Sequence, residues 1–488
     1  MANPNQEVKY TKLFINNEFV NSVSGKTFET LNPSTEKKIA DIAEGDKADV
    51  DLAVAAAKKA FERKSEWRNL DSTARAALLN KLADLIARDI DIISNLEALD
   101  TGKPIDHAKM QVGWAVNVFR SVASYADKIF GRTVPSDGAL FSYTRKEPVG
   151  VVGLITPWNY PILLVAMKVG PALAAGCTII HKPAEQTPLT ALYVAALSKE
   201  AGFPAGVLNV IPGYGPTAGA AITSHADVRK VGFTGSTEVG KLIMEAAAKS
   251  NLKKVSLELG GKSPFVVFDD VNLDEVIPVA VEGVFTNAGQ ICIAPSRTFV
   301  QESIYDEFVK KVVAYAKNRK LGSQFTSGVQ QGPQVDKDTF DKVLTYIEYG
   351  KQDGAKLELG GKRWGTEGYF IEPTIFSNVT DNMRIARDEI FGPVMSILKF
   401  KTLEEVIDRA NNTEYGLSST VFTKNIEQAF AFANQVEAGN VKVNSGGMGN
   451  NLPFGGYKQS GIGREGGDYG VELYLETKAV SIKMPYKM

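Results

Sequence analysis

A doubly wound α/β fold is predicted by two patterns in the sequence. Between residues 149 and 258, short apolar strands alternate with amphipathic helices in successive βα units. The strands, such as Val151–Ile155 and Thr178–Lys182, are nearly continuous in apolar or β-branched residues. Such runs are typical of parallel strands that are buried on both faces. A sheet of this kind binds ligands beyond the carboxyl ends of its strands.

The segments around this core extend the α/β prediction. Residues 11–45 predict surface hairpin strands, and helices are expected at 46–66, from about 72 to 86, and up to about 126. Within the 149–258 series, a helix is expected to follow the first strand through Lys168. After Gly260-Gly261 a second α/β domain is expected, with a strand at 265–268, a helix from 274 to 287, helices at 303–319 and 336–353, and strands near 296–300 and 394–399.

Two segments predict a small arm. Residues 130–148 form an extended excursion with an alternating strand, and the tail from 471 to 488 alternates enough to be a returning strand. The excursion is read either as an arm that pairs with another chain or as an ordinary hairpin. Local residues do not separate these two interpretations.

Composition excludes several classes of protein. The chain has 488 residues, 44% hydrophobic and 23% charged, with a formal net charge of −1. These are globular values, and the balanced charge disfavours nucleic acid or an anionic membrane as a partner. The two cysteines and three histidines are too few and too scattered for a metal cluster, so we expect no metal. A polar N-terminus and this low cysteine content indicate a reducing, cytoplasmic setting.

Cys292 is the candidate nucleophile. It lies among small and β-branched neighbours, three residues after Gly289. A thiolate attacks a carbonyl carbon directly if its pKa is lowered or a base is close. The alternative is an inert, buried cysteine, which the local residues do not exclude.

Two polar residues at strand ends fit the same chemistry. Glu258 ends an apolar strand before Gly260-Gly261, and burial would raise its pKa towards that of a general base. Asn159 follows another strand and has an amide that could donate to a developing oxyanion. The alternatives are an ion-paired Glu258 and a helix-capping Asn159.

Two turns favour a nucleotide. Lys182 and Glu185 supply one donor and one acceptor for ribose hydroxyls, and a carboxylate there would repel a 2′-phosphate, favouring NAD over NADP. A surface ion pair is the alternative. The segment from Gly235 to Lys241 resembles a phosphate-binding loop, but Leu242 replaces the hydroxyl that would hold Mg²⁺. What remains is a helix N-terminus that can hold one phosphate.

Five motifs together resemble the aldehyde dehydrogenase superfamily over essentially the whole chain. They are Phe-Thr-Gly-Ser-Thr-Glu-Val-Gly at 233–240, Leu-Glu-Leu-Gly-Gly-Lys-Ser-Pro at 257–264, Gly-Gln-Ile-Cys at 289–292, Glu-Ile-Phe-Gly-Pro at 389–393 and Pro-Phe-Gly-Gly-Tyr-Lys-Gln-Ser-Gly at 453–461. Their order and spacing match the family, and the similarity is greatest to its NAD-dependent cytosolic retinal and general aldehyde dehydrogenases.

The resemblance implies an architecture. It implies a Rossmann-like NAD-binding domain at 1–126 and 149–258, a catalytic domain at 259–465, and a small β oligomerisation arm at 127–148 and 466–488. The arm and tail would give a homodimer or homotetramer.

The resemblance also implies roles for matching positions. Cys292 would be the nucleophile, Glu258 the general base, and Asn159 with the Cys292 backbone N–H the oxyanion hole. Lys168 and Glu465 would form a proton path behind Glu258. The cofactor would contact Ile155, Trp158, Lys182, Glu185, Gly215, Gly235, Ser236, Gly240, Lys342, Glu389 and Phe391. The substrate tunnel would be lined by Tyr160, Met167, Thr286, Ile291, Ile293 and Phe454.

This chain departs from the family pattern at the cofactor and in the tunnel. Thr339 stands where close relatives often have a Gln that contacts the nicotinamide ribose, which puts that contact in doubt. Met167, Thr286 and the run Gly446-Gly447-Met448-Gly449 are small or flexible where aromatic rings are common. Loss of those rings should widen the tunnel and favour bulky or long apolar aldehydes, retinal-like or isoprenoid.

Three rival functions stay open at this point. One is acyl transfer to coenzyme A, which would not need the base Glu258. A second is a semialdehyde dehydrogenase that forms another acyl product. The third is a catalytically weak structural protein on the same fold, like a lens crystallin.

Overall fold

The computed structural model describes residues 2–447, 449 and 451–486. Within this part of the chain, one sheet has eight strands, five of them parallel at its centre. Antiparallel strands close both edges. In spatial order the strands are Gly461–Ile462, Lys254–Glu258, Lys230–Thr234, Val151–Ile155, Thr178–Lys182, Leu208–Val210, Leu13–Ile15 and Glu18–Val20.

Side-chain alternation gives this sheet a core on each face. Val152 and Leu154 pack into one hydrophobic cluster, while Val151 and Ile155 pack into another on the opposite face. Helices cover both clusters, which explains why the strands carry apolar residues at nearly every position. They are Lys47–Ala60, Glu66–Asn69, Ser72–Arg88, Ile90–Thr101, Ile105–Ala123, Pro161–Ala175, Leu189–Ala201, Ala220–Ser224 and Thr237–Lys249.

The strand order contains a switch point. Val151–Ile155 lies at the centre, the next two parallel strands follow on one side, and Lys230–Thr234 then pairs with its other side. The connections on the two sides of the central strand therefore run in opposite directions. This opens a crevice beyond the carboxyl ends of the neighbouring strands.

A second sheet follows Gly260-Gly261 and has seven strands in the described residues. Phe265 and Val267 face one hydrophobic cluster, and Val266 and Phe268 face another. In spatial order the strands are Lys356–Leu359, Thr374–Ser377, Val394–Phe400, Arg297–Gln301, Pro264–Val267, Ser418–Phe422 and Asn440–Val443. The helices around it are Leu273–Phe285, Tyr305–Ala316, Lys337–Gln352, Arg384–Arg387, Leu403–Asn411 and Ile426–Gln435. The helix Gly467–Glu472 packs instead on the helices Pro161–Ala175 and Ile105–Ala123 of the first sheet.

Two smaller sheets complete the fold. Leu140–Pro148 pairs antiparallel with both Thr133–Val134 and the tail strand Leu475–Lys483, so the excursion and the tail form one three-stranded sheet. Thr27–Asn32 and Lys37–Ala43 form a hairpin near the N-terminus. The predicted hairpin strands and the returning tail strand are thereby found, but Leu13–Ile15 is not a surface strand, because it is buried and pairs with Leu208–Val210 in the eight-stranded sheet.

Helix ends differ from the predicted bounds for local reasons. The helix expected at 46–66 begins after a capping box on Asp46 but ends at Ala60, and a separate short turn follows Ser65. The helix expected to run through Lys168 continues to Ala175, across Pro171, and ends at left-handed Gly176. The helix expected from 274 to 287 ends at Phe285. Among the described residues, no helix is both long and apolar enough to cross a membrane.

Two glycine substitutions should change stability in opposite directions. Gly176 has a φ of 91°, so Gly176→Ala should lower the free energy of unfolding by about 1 kcal/mol although its Cβ has room. Gly113 lies inside the helix Ile105–Ala123, and an added Cβ would meet no atom within 4 Å. Gly113→Ala should therefore raise that free energy by about 0.5–1 kcal/mol. Denaturant titration followed by circular dichroism measures both free energies of unfolding. Equal effects of the two substitutions would contradict the conformations assigned to Gly176 and Gly113.

Candidate active site

Four neighbouring strands of the eight-stranded sheet end at the same edge. Ile155 is in register with Lys182 and with Phe233, and Thr234 is in register with Glu258. Trp158 and Asn159 follow the central strand directly. The structure therefore brings together Glu258, Asn159 and the predicted ribose-binding turn, although they are far apart in the sequence.

Cys292 follows a turn with unusual backbone geometry. Asn287, Ala288 and Gly289 have φ values of 53°, 55° and 75°, in the left-handed region. A Cβ on Gly289 would lie 2.0 Å from the carbonyl oxygen of Gly392, so only glycine fits there. Three consecutive residues in this conformation need support from the surrounding structure.

Side-chain amides supply that support. Gln290 donates from Nε2 to the carbonyl oxygens of Asn287 (2.9 Å) and Pro333 (3.3 Å), and its Oε1 accepts the N–H of Val335 (2.9 Å). Gln334 donates to the carbonyl oxygen of Ala288 (3.1 Å). The backbone that carries Cys292 is thus fixed by the segment 333–335.

The Cys292 side chain is close to two carboxyl groups. The residue is partly exposed, whereas its neighbours Asn287 to Gln290 are buried. Burial of the sulfur and the negative charges of Glu258 and Glu389 raise the pKa of the Cys292 thiol well above its usual range. The resting thiol is therefore protonated at neutral pH, and a base is needed to form the thiolate.

Glu258 has the properties of such a base. Its side chain is buried, and its Oε1 lies out of solvent with no hydrogen-bond partner among the described residues. Burial raises the pKa of Glu258 to about 7; the Cys292 thiol opposes this rise and the charge of Glu465 adds to it. The described residues give Glu258 no ion pair within 4.0 Å, so the ion-paired alternative is not supported.

Asn159 does not cap a helix. Tyr160 is the N-cap of the helix Pro161–Ala175 and makes no side-chain capping bond. Asn159 instead donates from Nδ2 to the carbonyl oxygen of Gln290 at 3.0 Å, which sets the orientation of the amide beside the Cys292 turn. One Nδ2 hydrogen remains available, because an amide nitrogen carries two.

Lys103 is a residue that sequence reasoning missed. It is fully buried, and its ammonium group donates to the carbonyl oxygen of Asn159 (2.9 Å), to Gln111 (2.5 Å) and to Glu97 (3.3 Å). Asn287 donates to the same carbonyl oxygen (3.1 Å). A lysine directly after a helix-ending glycine gave no signal of this long-range contact.

Lys168 and Glu465 form a buried ion pair behind Glu258. Both residues act on the pKa of Glu258, Glu465 raising it and Lys168 lowering it. Glu465 keeps its Oε2 buried without a hydrogen-bond partner among the described residues. The pair therefore acts on Glu258 through its charges.

The turn at Lys182 keeps its charges together inside the protein. Lys182 is 3% exposed and its Nζ lies 3.3 Å from the Glu185 carboxylate. Lys182 and Glu185 therefore form the ion pair that the alternative interpretation predicted. Its lysine, however, is buried and does not lie at the surface. Nearby Gly215 has open space where a Cβ would stand.

Residues of the seven-stranded sheet complete the crevice. Glu389 accepts the N–H of Gly261 at 3.0 Å, and a Cβ on Gly260 would collide with its carboxylate at 2.3 Å. Phe391, with a φ of 60°, meets the Trp158 ring edge-to-face at 5.4 Å. Ser236, Lys342 and Glu389 line a common cleft of about 930 Å³ between the two sheets.

Three predicted cofactor positions have other local roles as well. Gly235 gives room to the Phe233 ring and Gly240 to Leu259, with Cβ approaches of 2.3 and 2.8 Å. Ser236 caps the helix Thr237–Lys249 by accepting the N–H of Val239 at 3.3 Å. Thr339 lies in the first turn of the helix Lys337–Gln352, whose residues in the cleft are Lys342 and Tyr346.

The predicted tunnel residues share one property: each is partly exposed, like Cys292. They are Tyr160, Met167, Thr286, Ile291, Ile293 and Phe454. Thr286 donates its hydroxyl to Glu282 at 2.9 Å. Lys442, which sequence reasoning missed, is buried near the site; burial lowers its pKa, and the nearby Cys292 opposes this shift. Met448 lies outside the described residues.

A doubly wound sheet with a thiol and a carboxylate at its carboxyl edge suits a nucleotide-dependent oxidoreductase. Within the described residues, no group of three or more His, Cys, Asp or Glu side chains is arranged to hold a metal ion. The chemistry available is thus that of a thiol, a carboxylate and an amide beside a nucleotide crevice.

The chain belongs to the aldehyde dehydrogenase family. The family model matches residues 19–480. Chicken aldehyde dehydrogenase 1A1 is 58% identical over 483 residues, which cover 99% of this chain and 95% of that protein. The human protein of the same name is 56% identical, over 99% of this chain and 96% of its own length.

Solved structures agree with this assignment. The NAD⁺ complex of aldehyde dehydrogenase from Bacillus cereus superposes with a TM-score of 0.96 at 48% identity, covering 97% of each chain. Betaine aldehyde dehydrogenase from Staphylococcus aureus, in complex with NAD⁺, gives 0.95 at 39%, covering 98% of this chain and 95% of its own. The predicted fold is confirmed, and the protein is an NAD-dependent aldehyde dehydrogenase.

The raised pKa of Glu258 should appear in the pH dependence of stability. A carboxyl group with a raised folded-state pKa favours folding below its ordinary pKa of 4.5, and this contribution is lost as the pH rises towards about 7. Glu258→Gln has no carboxyl group to titrate at this position and so avoids this loss. Between pH 5 and pH 8, the free energy of unfolding of the unaltered protein should therefore fall relative to that of Glu258→Gln by up to about 3 kcal/mol. Denaturant titrations at both pH values measure it.

The matched control is Glu18→Gln, which changes an exposed carboxyl group in a surface strand. It should show the same stability difference between the two pH values as the unaltered protein. If Glu258→Gln behaves like this control, the Glu258 carboxyl group titrates normally and its role as a base near neutral pH loses its support.

Proposed function

We propose that the protein oxidises its aldehyde through a thioester on Cys292, with Glu258 as the general base. The observation that carries this proposal is that these two groups approach each other from separate parts of the fold. Cys292 comes from the turn after the helix Leu273–Phe285, and Glu258 from the end of a central strand. Each perturbs the pKa of the other, which requires that they lie close together.

The first step is attack on the carbonyl carbon. Glu258 takes the proton of the Cys292 thiol, which burial otherwise keeps bound, and the sulfur bonds to the aldehyde carbon. A base with a pKa of about 7 suits this transfer at neutral pH. The product is a tetrahedral thiohemiacetal with a negative oxygen.

Asn159 and the backbone N–H of Cys292 would stabilise that oxygen. The bond from Asn159 to the Gln290 carbonyl oxygen fixes the amide plane before substrate arrives, and Lys103 holds the Asn159 backbone from behind. A donor that is already oriented in a water-poor site stabilises developing charge without reorganisation.

The residues of the crevice fit NAD. The Lys182–Glu185 pair suits ribose hydroxyls, the open space at Gly215 admits a ligand, and the N-terminus of the helix Thr237–Lys249 suits a phosphate. Lys342 and Glu389 line the cleft where a second ribose would be held. When bound, NAD⁺ supplies the hydride acceptor that turns the thiohemiacetal carbon into a thioester carbon.

Hydrolysis would then release the acid. Glu258 activates a water molecule for attack on the thioester, and its proton passes towards the Lys168–Glu465 pair. Acyl transfer to coenzyme A would not need this base, and a structural protein would need neither the base nor the thiol. The position of Glu258 beside Cys292 therefore favours hydrolysis over these rivals.

We infer a preference for bulky or long apolar aldehydes, retinal-like or isoprenoid. The six predicted tunnel residues are uncharged, and Met167 and Thr286 provide flexible or small side chains where rings would narrow the path. Without those rings, a small aldehyde loses contacts that would hold it near Cys292, while a long one gains room.

The remaining proposals concern organisation. The domains are assigned to residues 1–126 with 149–258, 259–465, and 127–148 with 466–488. The three-stranded sheet of the third group, with its edge strand Thr133–Val134, supports a role in a homodimer or homotetramer. A cytoplasmic location is supported by two cysteines that are both free thiols.

Replacing the nucleophile should separate binding from chemistry. Cys292→Ser should reduce aldehyde oxidation by at least about 1,000-fold, because a serine hydroxyl is a far weaker nucleophile without its own activating base. The affinity for NAD⁺, measured by fluorescence titration, should stay within about threefold. Cys177→Ser is the matched control and should retain activity, since Cys177 is buried in the core. Full activity of Cys292→Ser would disprove the mechanism.

An aldehyde panel tests the substrate class. Values of kcat/KM for retinal or farnesal should exceed that for acetaldehyde by at least about tenfold, from the added contacts of a long apolar chain. Thr286→Phe should narrow the path and lower kcat/KM for the long aldehydes more than for acetaldehyde. A large advantage for acetaldehyde in the unaltered enzyme would exclude the proposed preference.

A further inference from the structure

A small cavity lies under the seven-stranded sheet, away from Cys292. It is formed where three neighbouring parallel strands begin, at Pro264, Arg297 and Ser418. The centre of a water-sized occupant can move within about 10 Å³ of this cavity. That is about enough for one water molecule or one monoatomic ion.

Three polar groups on its wall are unsatisfied. The Nζ of Lys262 and the hydroxyl groups of Ser263 and Ser418 are buried and have no hydrogen-bond partner among the described residues. The three residues are at most 3% exposed. Buried polar groups are nearly always paired, and a lysine left alone is especially unfavourable, so the three together indicate a missing partner.

The charge around the cavity is positive. Arg297 is buried on the same wall, and among the described residues its guanidinium group donates only to the backbone carbonyl oxygens of Lys262 (2.8 Å), Arg409 (3.1 Å) and Ala410 (2.9 Å). Carbonyl oxygens satisfy its hydrogen bonds but do not neutralise its charge. Burial and the charge of Arg297 lower the pKa of Lys262 to about 7.

The carboxylate on the cavity wall does not serve as the counterion. Glu437 lines the cavity, but it is exposed and pairs with Lys458. Glu389 and Asp388 act on Lys262 through charge, but Glu389 accepts the N–H of Gly261 and lines the neighbouring cleft. Among the described residues, Arg297 and the protonated form of Lys262 thus bring positive charge to a space that no carboxylate occupies.

We propose that this cavity is a binding site for one small monovalent anion of halide size. The Lys262 ammonium and the two serine hydroxyls would donate to the anion, and Arg297 would add attraction without a direct bond. The small volume excludes phosphate, sulfate and carboxylates. Because Lys262 follows the Gly260-Gly261 link to Glu258, the bound anion stabilises the start of the strand that anchors this link.

Bromide gives the direct test. Crystals of the whole protein grown in sodium bromide, with diffraction measured at the bromine absorption edge, should show an anomalous peak within about 3.5 Å of Lys262 Nζ. An ordered water molecule with no anomalous signal at that place would overturn the proposal. Peaks at the protein surface alone would overturn it equally.

Thermal unfolding in solution gives a second test, which needs no crystals. At constant ionic strength, replacing gluconate by bromide should raise the Tm of the unaltered protein by roughly 1–3 °C. Lys262→Met should lose at least half of this rise, while Lys401→Met, which removes an exposed lysine, should keep it. Equal anion responses in all three proteins would overturn the proposal. Neither experiment depends on how the enzyme oxidises its substrate.

Discussion

The contact between Glu389 and the Gly260-Gly261 link is the constraint on which the active site depends. Glu258 ends a strand of the eight-stranded sheet, Cys292 lies in a turn before the strand Arg297–Gln301 of the seven-stranded sheet, and the two sheets are joined through this link. The Glu389 carboxylate binds the N–H of Gly261 and leaves no room for a side chain on Gly260, while a Cβ on Gly261 would lie 2.7 Å from the carbonyl oxygen of Cys292. Both glycines are therefore needed to bring the base and the nucleophile together.

Burial then sets the reactivity of the pair. It raises the pKa of the Cys292 thiol and of the Glu258 carboxyl group alike, so the charged form of each group is disfavoured before substrate binds. The same low exposure keeps Lys103, Lys168 and Lys182 inside the protein, each next to a defined acceptor. Lys262 is the exception, since the described residues offer it no such acceptor, and this contrast is what distinguishes its cavity.

Much of the fold follows from local pattern. Nearly continuous apolar strands predicted a sheet covered on both faces, and the two hydrophobic clusters beside Val151–Ile155 show why each position had to be apolar. Helix ends were less accurate, because tertiary packing carries the helix from Pro161 across Pro171 to Ala175. The helix Leu273–Phe285 stops just before the left-handed turn, and Ala288, unlike Asn287, belongs to a residue type that rarely adopts that conformation.

The sequence by itself determined the fold class, the family and the identity of the residues proposed for catalysis, because motif residues and strand periodicity are local properties of the chain. Only the tertiary structure decided what surrounds them. The hydrogen bond from the Asn159 amide to the Gln290 carbonyl oxygen and the support of the Asn159 backbone by Lys103 join groups that are distant in sequence, and the Oε1 of Glu258 is left without a partner among the described residues. Such pairings, and the burial that shifts each pKa, arise when the two sheets pack together and cannot be read from local pattern.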